Sequence, residues 1–189
     1  MTDSTTERLL DTAGVAPGDL RGAMSRFASG VTVITTATGG PAGPEAHGMT
    51  ANAFLSVSLA PPLVLVSVAA RAKSNRRITE TGRYGVSVLN AGQHALSRHF
   101  AGIEAMADAV DFTWDDGIPL ITGALVQLVC TVRASHPAGD HVLHVAAVDH
   151  VRTRDGVPLL LYNGEPRTLT PAWPAEDWRT RETRRGNGQ

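Results

Sequence analysis

Runs of β-branched and other apolar residues recur through the middle of the chain, and each run is bounded by residues that favour turns. Seven runs are typical of strands, at 31–36, 55–59, 63–68, 84–89, 125–134, 141–151 and 159–162. The intervening segments carry Gly and Pro, as in Ala60-Pro61-Pro62. Because few helical patterns separate the strands, a repeating βαβ sheet is excluded. The sequence predicts a mainly β fold, an antiparallel barrel or sandwich with a few short helices.

Helical spacing of apolar residues is confined to short segments. They lie at 6–12, 20–27, 74–81 and 93–109, the last with a break near Gly102. Asp19 follows a turn signal and is predicted to cap the helix at 20–27. The segment 37–47, which contains several Gly and Pro residues, is predicted to be a long loop.

The chain has 189 residues, of which 42% are hydrophobic, so one domain can bury a core without disulfides or a structural metal. Since no linker divides it, we expect one domain over 20–170, an N-terminal extension over 1–19 and a C-terminal tail over 171–189. Cys130 is the only cysteine, which excludes an internal disulfide and a CxxC motif. It lies in an apolar strand, where we expect a buried, inert thiol.

The charge balance limits the partners that the chain can attract. The formal net charge is −1, so the chain as a whole has no electrostatic field that would hold nucleic acid or an anionic membrane. The apolar stretch 59–70 contains two prolines and is shorter than the ~20 residues that a spanning helix requires. The first ten residues lack the basic-then-apolar order of a secretory signal. We expect a cytoplasmic protein with neither nucleic-acid nor membrane partners.

Seven histidines raise the question of a metal site, but their spacing is unfavourable. His141 and His144 lie three positions apart in one predicted strand, so their side chains are expected on opposite faces. His94 and His99 are five apart, outside the i, i+4 spacing by which one helix face presents two ligands. We therefore expect no metal. Motifs for a serine nucleophile, a phosphate loop or a dinucleotide-binding turn are also missing.

Small polar residues cluster where predicted strands meet turns, at 48–52, at 56–58 and at Lys73-Ser74. Small side chains let a flat ligand approach the backbone, and hydroxyl and amide groups can bond ring carbonyls or phosphate oxygens. Ser74 precedes a predicted helix, whose N-terminus could hold a phosphate together with Lys73. On these residues alone another interpretation stays open: Ser56 and Ser58 are outward-facing strand residues, and Ser74 is a helix cap.

These segments, together with others in the same order over about residues 20 to 170, resemble the short-chain flavin reductases. These are the NAD(P)H:flavin oxidoreductase components of two-component flavin-dependent monooxygenases. The matching segments are 21–36, 48–59, 62–66, 123–125 with Cys130, 139–141, and 158–160 followed by Gly164. The resemblance implies an antiparallel flavin-binding split β-barrel that acts as a homodimer and uses FAD or FMN with NADH or NADPH.

The resemblance also implies which residues contact the flavin. The isoalloxazine ring lies along the segment that matches 49–52. The ribityl and phosphate parts reach the segment that matches 56–58, and the turn that matches Lys73-Ser74 assists. The residues that match this part of the family's site are Met49, Thr50, Ala51, Asn52, Ser56, Val57, Ser58, Lys73 and Ser74. Phe100 matches a position that borders the flavin.

On the nicotinamide side, the resemblance implies a role for His141 and, from some members of the family, a position of Arg21 near the bound nicotinamide. No dedicated acid or base is required, because hydride transfer from nicotinamide C4 to flavin N5 needs only two rings held face to face. The expected function is supply of reduced flavin to a partner monooxygenase. Two alternatives stay open: a non-catalytic flavin- or haem-binding module, and an FMN-dependent oxidase of the pyridoxamine-phosphate oxidase type.

Overall fold

A computed structural model describes residues 14–40, 43–107 and 109–169. The helix predicted at 6–12 and the tail at 171–189 lie outside the described residues. Within them, the helices are α1 (Pro17–Met24), α2 (Lys73–Thr81) and α3 (His94–Phe100), the last preceded by a 3₁₀ turn at Ala91–Gln93. The strands are β1 (Ser29–Gly30), β2 (Thr32–Gly40), β3 (Gly43–Ala51), β4 (Phe54–Leu59), β5 (Pro62–Ala69), β6 (Arg83–Val88), β7 (Phe112–Asp115), β8 (Ile118–Ile121), β9 (Val126–Ala138), β10 (His141–Thr153), β11 (Leu160–Tyr162) and β12 (Glu165–Arg167).

Seven of the strands form one antiparallel sheet in the order β3-β2-β6-β9-β10-β5-β4. Its two edge strands, β3 and β4, follow each other in sequence and are joined only by Asn52 and Ala53. The Ser67 N–H donates to the Ala53 carbonyl at 3.0 Å, which ties this connection to β5. The end of β3 and the start of β4 therefore lie close together at this connection, although the two strands form no ladder with each other in the described residues. The mainly β, antiparallel barrel predicted from the sequence is confirmed.

Alternate residues of the sheet point into the barrel and form its core, as the period of two in a strand requires. Ile34, Val66 and Val86 are fully or almost fully buried there, and Ile78 of α2 covers them from one side. A second cluster lies on the other face of β2, where Val33 packs with residues of β8 and of α3. The sheets β1-β11-β12 and β7-β8 flank this main sheet.

The prediction of a long loop at 37–47 is wrong, because the described residues of this segment belong to β2 and β3, which pair with each other. Their register continues from Ala37 opposite Ala46 to Gly40 opposite Gly43. This outer part of the hairpin is mostly exposed or half-buried, so it lacks the apolar alternation that marks a strand in a sequence. Backbone hydrogen bonds between the two strands are enough to form the ladder.

Helix boundaries also differ from the sequence predictions. Asp19 does not cap α1, because the helix begins at Pro17, with Ala16 at the N-cap and Asp19 within the first turn. Proline is suited to this first position, since its ring presets φ and it has no N–H to leave unpaired. Ser74 is not a cap either, since Ala72 is the N-cap of α2. The helix predicted over 93–109 ends at Phe100.

Candidate functional site

A cleft of about 280 Å³ lies between the end of β3, helix α3 and the small β1-β11-β12 sheet. Its floor is apolar and includes Val31 and the segment 159–161. Its rim is polar and consists of Thr50, Asn52, His94, Ser97 and Arg98. An apolar floor with a few polar groups at the edge is the usual composition of a site for a planar organic ligand.

A second cleft of about 250 Å³ adjoins the first on the side of α1. It is lined by Arg21 and neighbouring residues of the α1 segment, and it shares Asn52, Leu161 and Gly164 with the first cleft. The Asn52 side chain is exposed and stands at the boundary between the two spaces. The structure therefore brings three sequence-predicted residues, Arg21, Thr50 and Asn52, to one pair of connected clefts.

The strand that supplies Thr50 and Asn52 is held directly against α3. The Thr50 hydroxyl donates to the Ser97 carbonyl at 2.6 Å. A Cβ placed on Gly48 would lie 2.6 Å from Cε1 of Phe100, so glycine is what allows this close packing. Phe100 lies behind the cleft, in the second core cluster, and does not line the cleft itself.

Met49 and Ala51 alternate with Thr50 along β3 and point to the opposite side. Ala51 belongs to the barrel core, and Met49 packs against it. Their side chains are therefore turned away from the cleft, which leaves only their backbone atoms on its side. The Ala51 carbonyl already accepts a hydrogen bond of 2.6 Å from the Thr32 hydroxyl.

A second group of predicted residues, Lys73, Ser74 and His141, meets at one end of the sheet. The register places His141 opposite Ala69, the last residue of β5, and α2 begins four residues later at Lys73. The Ala70 N–H donates to the Asp140 carbonyl at 2.9 Å. This bond fixes the segment before α2 beside the start of β10.

His141 is half-exposed, with 43% of its side-chain surface accessible, and its Nδ1 lies 2.7 Å from Oδ1 of Asp140. This hydrogen bond, together with the charge of a protonated His141, lowers the pKa of the Asp140 carboxyl. His144, three residues on, is fully buried. The prediction that His141 and His144 face opposite sides of the strand is confirmed.

Positive charge concentrates near the first turns of α2. Lys73 and Arg77 lie one helical turn apart, and the first N–H groups of a helix have no acceptor within it. The pKa of His47 on β3 is lowered by burial and then by the charge of Arg77, with a smaller contribution from Lys73 and an opposing one from Glu45. These groups suit an anionic ligand such as a phosphate.

The segment Ser56, Val57 and Ser58 is not brought to the clefts of its own chain. Ser56 pairs with Val64 and Ser58 with Leu63, and Val57 sits in a register shift between them. Val64 is five residues from Ala69 on β5, which corresponds to about 16 Å along a strand. The predicted site is thus divided between the clefts, the α2 end of the sheet and the middle of β4.

Sequence reasoning missed several residues of the first cleft. The sequence patterns single out His94 only as a possible metal ligand, and they do not single out Arg98. The two are four residues apart on α3, a spacing that puts both side chains on one helix face and could have been noticed. The apolar residues 159–161 are predicted as part of a strand, but β11 pairs with β1, about 130 positions earlier in the chain, so no local pattern shows that they line a cleft.

We also searched the part of the chain that the structure describes for a metal site, a reactive thiol and a membrane-spanning helix. No group of three or more His, Cys, Asp or Glu side chains is placed there to hold a metal ion. Cys130 is buried as predicted. Burial, helped by the charge of Asp149, raises the pKa of its thiol to about 12. None of the described helices is long and apolar enough to cross a membrane.

A protein-family model described as a flavin reductase like domain matches residues 24–170. The chain belongs to this family. The NADH-dependent flavin reductase of a Rhodococcus species is 52% identical over 175 residues, covering 90% of this chain and 99% of that protein. The reductase component of 4-hydroxyphenylacetate 3-monooxygenase from Thermus thermophilus is 40% identical, covering 81% of this chain and 95% of that protein.

Solved structures of flavin reductases share the fold of this family member. One is the NADH:FAD oxidoreductase of Streptomyces globisporus in complex with NAD and FAD fragments. Its TM-score is 0.73 at 38% sequence identity, and the match covers 84% of this chain and 98% of that chain. The resemblance to flavin reductases that the sequence motifs indicated is confirmed.

Proposed function

We propose that the chain is an NADH-dependent flavin reductase that transfers hydride to FAD or FMN and supplies the reduced flavin to a flavin-dependent monooxygenase. The observation that carries the proposal is the pair of adjoining clefts that share Asn52, Leu161 and Gly164. Hydride transfer needs two planar rings in contact, and two clefts with a common wall provide neighbouring places for them. Two of the relatives named above have both classes of ligand in their names, NADH with flavin in one and NADH with FAD in the other.

The donor set of the first cleft suits a flavin ring system. The floor formed by Val31 and 159–161 offers apolar contact to the ring. The Asn52 amide has both a donor and an acceptor for the polar edge of the ring. The Thr50 hydroxyl has its proton committed to the Ser97 carbonyl, so its oxygen is left to accept an N–H.

When bound, the two ligands supply the chemistry themselves: hydride passes from nicotinamide C4 to flavin N5. The protein's part is to hold both rings at near-attack distance and to exclude water between them. We propose that Arg21 contacts the nicotinamide nucleotide at the second cleft. His141, oriented through Nδ1 by Asp140, has its Nε2 free to contact the same ligand.

The phosphate of the flavin is proposed to bind near Lys73 and Ser74. The positive side chains there and the free N–H groups at the start of α2 attract an anion.

We also propose that the chain forms a homodimer through the outer face of β4, β5 and β10. Leu55 and Val57 are about half exposed there, and the side chain of Leu59, at the end of β4, is 89% exposed. Leu63, Leu65, Leu143 and Val145 belong to the same partly exposed region. A contiguous apolar face of this kind is expected to be covered by a partner. In such a dimer Ser56–Ser58 lie at the interface, which accounts for their distance from the clefts of their own chain.

The proposed activity is tested by a steady-state assay that combines each of FAD and FMN with each of NADH and NADPH. We expect oxidation of NADH that depends on added flavin. Absence of oxidation with all four combinations would contradict the proposal. Oxygen consumption with an amine substrate and without NADH would instead indicate an oxidase. Light scattering on the same preparation measures the molar mass, and a monomer would contradict the dimer.

A further inference from the structure

A fully buried histidine joins three elements next to the proposed site. His144 lies on β10 and faces into the barrel, directly opposite Ser135 of β9. Its Nδ1 is 2.8 Å from the Ser135 hydroxyl, and its Nε2 is 2.9 Å from Oδ1 of Asn75 in the first turn of α2. Both ring nitrogens therefore have a partner.

The partners determine the protonation state of the ring. The Asn75 Oδ1 atom can only accept a hydrogen bond, so Nε2 must carry the proton. Burial disfavours the charged form and lowers the pKa of His144. In the neutral ring that burial favours, Nδ1 accepts from the Ser135 hydroxyl. Each polar atom of the ring is satisfied, as buried polar groups require.

Asn75 extends these bonds to the segment that precedes α2. Its Nδ2 donates to the Ala70 carbonyl at 2.9 Å. The Ala70 N–H in turn donates to the Asp140 carbonyl at 2.9 Å. We call Ser135, His144, Asn75, Ala70 and Asp140 the His144 network. It runs from β9 through β10 and α2 to the residue beside His141.

We propose that His144 and Asn75 are positioning residues that hold the Lys73-Ser74 segment and His141 at a fixed separation. Lys73 and Ser74 directly precede Asn75, and Asp140 directly precedes His141. The network thus ties the residues proposed to bind the flavin phosphate to His141, which we propose contacts the nicotinamide nucleotide. The inference rests on the proposed function, because it assigns a role toward the flavin and NADH.

The inner face of this sheet is otherwise largely apolar, with Val66, Val68 and Ala146 in the same core cluster. An apolar side chain at position 144 would fill the space without a need for partners. A polar residue there is costly unless it is fully hydrogen-bonded. The specific gain from histidine is its connection to Asn75, which an apolar residue cannot make.

The test uses Asn75→Ala and His144→Leu in the full chain, assayed with FAD, FMN and NADH. Because the 70–74 segment loses its fixed position, we expect the KM for flavin and the KM for NADH to rise about five- to tenfold, as for one or two lost hydrogen bonds. The kcat at saturation should change less than about twofold. His144→Gln, which retains a donor for Asn75, should recover part of the loss.

Thr81→Ala serves as the matched control on α2. The Thr81 hydroxyl donates to the Arg77 carbonyl at 2.8 Å at the far end of the helix, away from the site. This variant is expected to lose some thermal stability and to keep both KM values. If Asn75→Ala and His144→Leu behave like Thr81→Ala, with a lower Tm and unchanged KM values, the positioning role is overturned.

Nitrogen-15 NMR of the histidines in the unaltered protein provides a readout that does not depend on the variants folding. We expect His144 as the neutral tautomer with the proton on Nε2. A neutral ring with its proton on Nδ1 contradicts the network, because Nε2 then has no hydrogen to donate to Asn75. Failure of the proposed function is distinguishable, since it shows as absence of NADH oxidation by the unaltered protein in every flavin combination.

Discussion

Two of the three helices that border the proposed site, α1 and α2, are attached to the barrel in different ways. Both begin after an alanine in extended conformation without a side-chain cap. Helix α2 inserts the fully buried side chain of Ile78 into the core, and its Asn75 is hydrogen-bonded to His144 of β10. Helix α1 has no buried residue. Ser25, just after α1, accepts a hydrogen bond of 2.7 Å from the N–H of Asn163.

This difference shows that one side of the site is built into the core and the other rests on the surface. A segment with few buried contacts opens locally at a lower free-energy cost than one anchored in the core. We therefore expect the proposed phosphate end, near α2, to be rigid and the proposed nicotinamide end, at Arg21 on α1, to adapt to its ligand. Ligand-contacting segments are often drawn from the less stable parts of a fold.

The largest expected effect comes from removing the anchor of α2. Ile78→Ala deletes a fully buried side chain and leaves a cavity, so the free energy of unfolding should fall by about 3 kcal/mol. Met24→Ala on α1 is the matched control: its side chain is 56% exposed, and the loss should stay below about 0.5 kcal/mol. Urea unfolding measures both. Equal losses in the two variants would remove the contrast between the helices.

A smaller effect is expected on binding at the α1 end. Arg21→Ala removes the charged group that lines the second cleft, so the KM for NADH should rise about fivefold, equivalent to ~1 kcal/mol. The KM for flavin should stay within about twofold, and the Tm should not change, because α1 is not part of the core. Steady-state kinetics at saturating flavin provide the measurement. A loss shared by both substrates would contradict the assignment of Arg21 to the nicotinamide side.

The smallest effect concerns pH. The folded-state pKa of His144 lies below its ordinary value of 6.5 because of burial. The unfolded chain therefore binds a proton first as pH falls below 6.5, and folding stability contributed by neutral His144 is lost in that range. Since His144 anchors α2, amide hydrogen exchange in α2 should be enhanced between pH 6.5 and 5, after correction for the intrinsic exchange rate.

His144→Leu tests this pH effect, because the variant has no group at that position to titrate. His47, whose pKa is also lowered, contributes in the same direction and remains in the variant. The difference between the two proteins therefore isolates His144. An identical pH dependence in both would show that the histidine does not control the attachment of α2.

The parts of the fold that the sequence predicted are those in which local pattern and burial coincide. Strands such as β5 and β6 have alternating or continuous apolar residues because their side chains fill the core of the barrel. The β7-β8 hairpin was missed although Asp116 and Gly117 both have positive φ, and an Asp-Gly pair is a strong signal for a tight hairpin turn. The outer part of β3 carries no such signal, since its side chains contribute little to the core.

In the candidate site too, the sequence predicts only the residues that a local motif marks. Thr50 and Asn52 stand beside a strand end in the sequence, so a local motif marked them. His94 and Arg98 reach the same cleft only because α3 packs on β3 through Gly48. That contact joins residues more than 40 positions apart, and no spacing within either segment reveals it.

The buried position of Cys130 has a consequence for a protein with the proposed function. Reduced flavin released in air reacts with oxygen to give hydrogen peroxide, which attacks thiolates in preference to thiols. With its pKa raised to about 12, the sole sulfhydryl of this chain stays protonated and shielded inside the barrel. The protein therefore carries no thiolate target for its own by-product, and repeated turnover in the presence of oxygen should leave this sulfur intact.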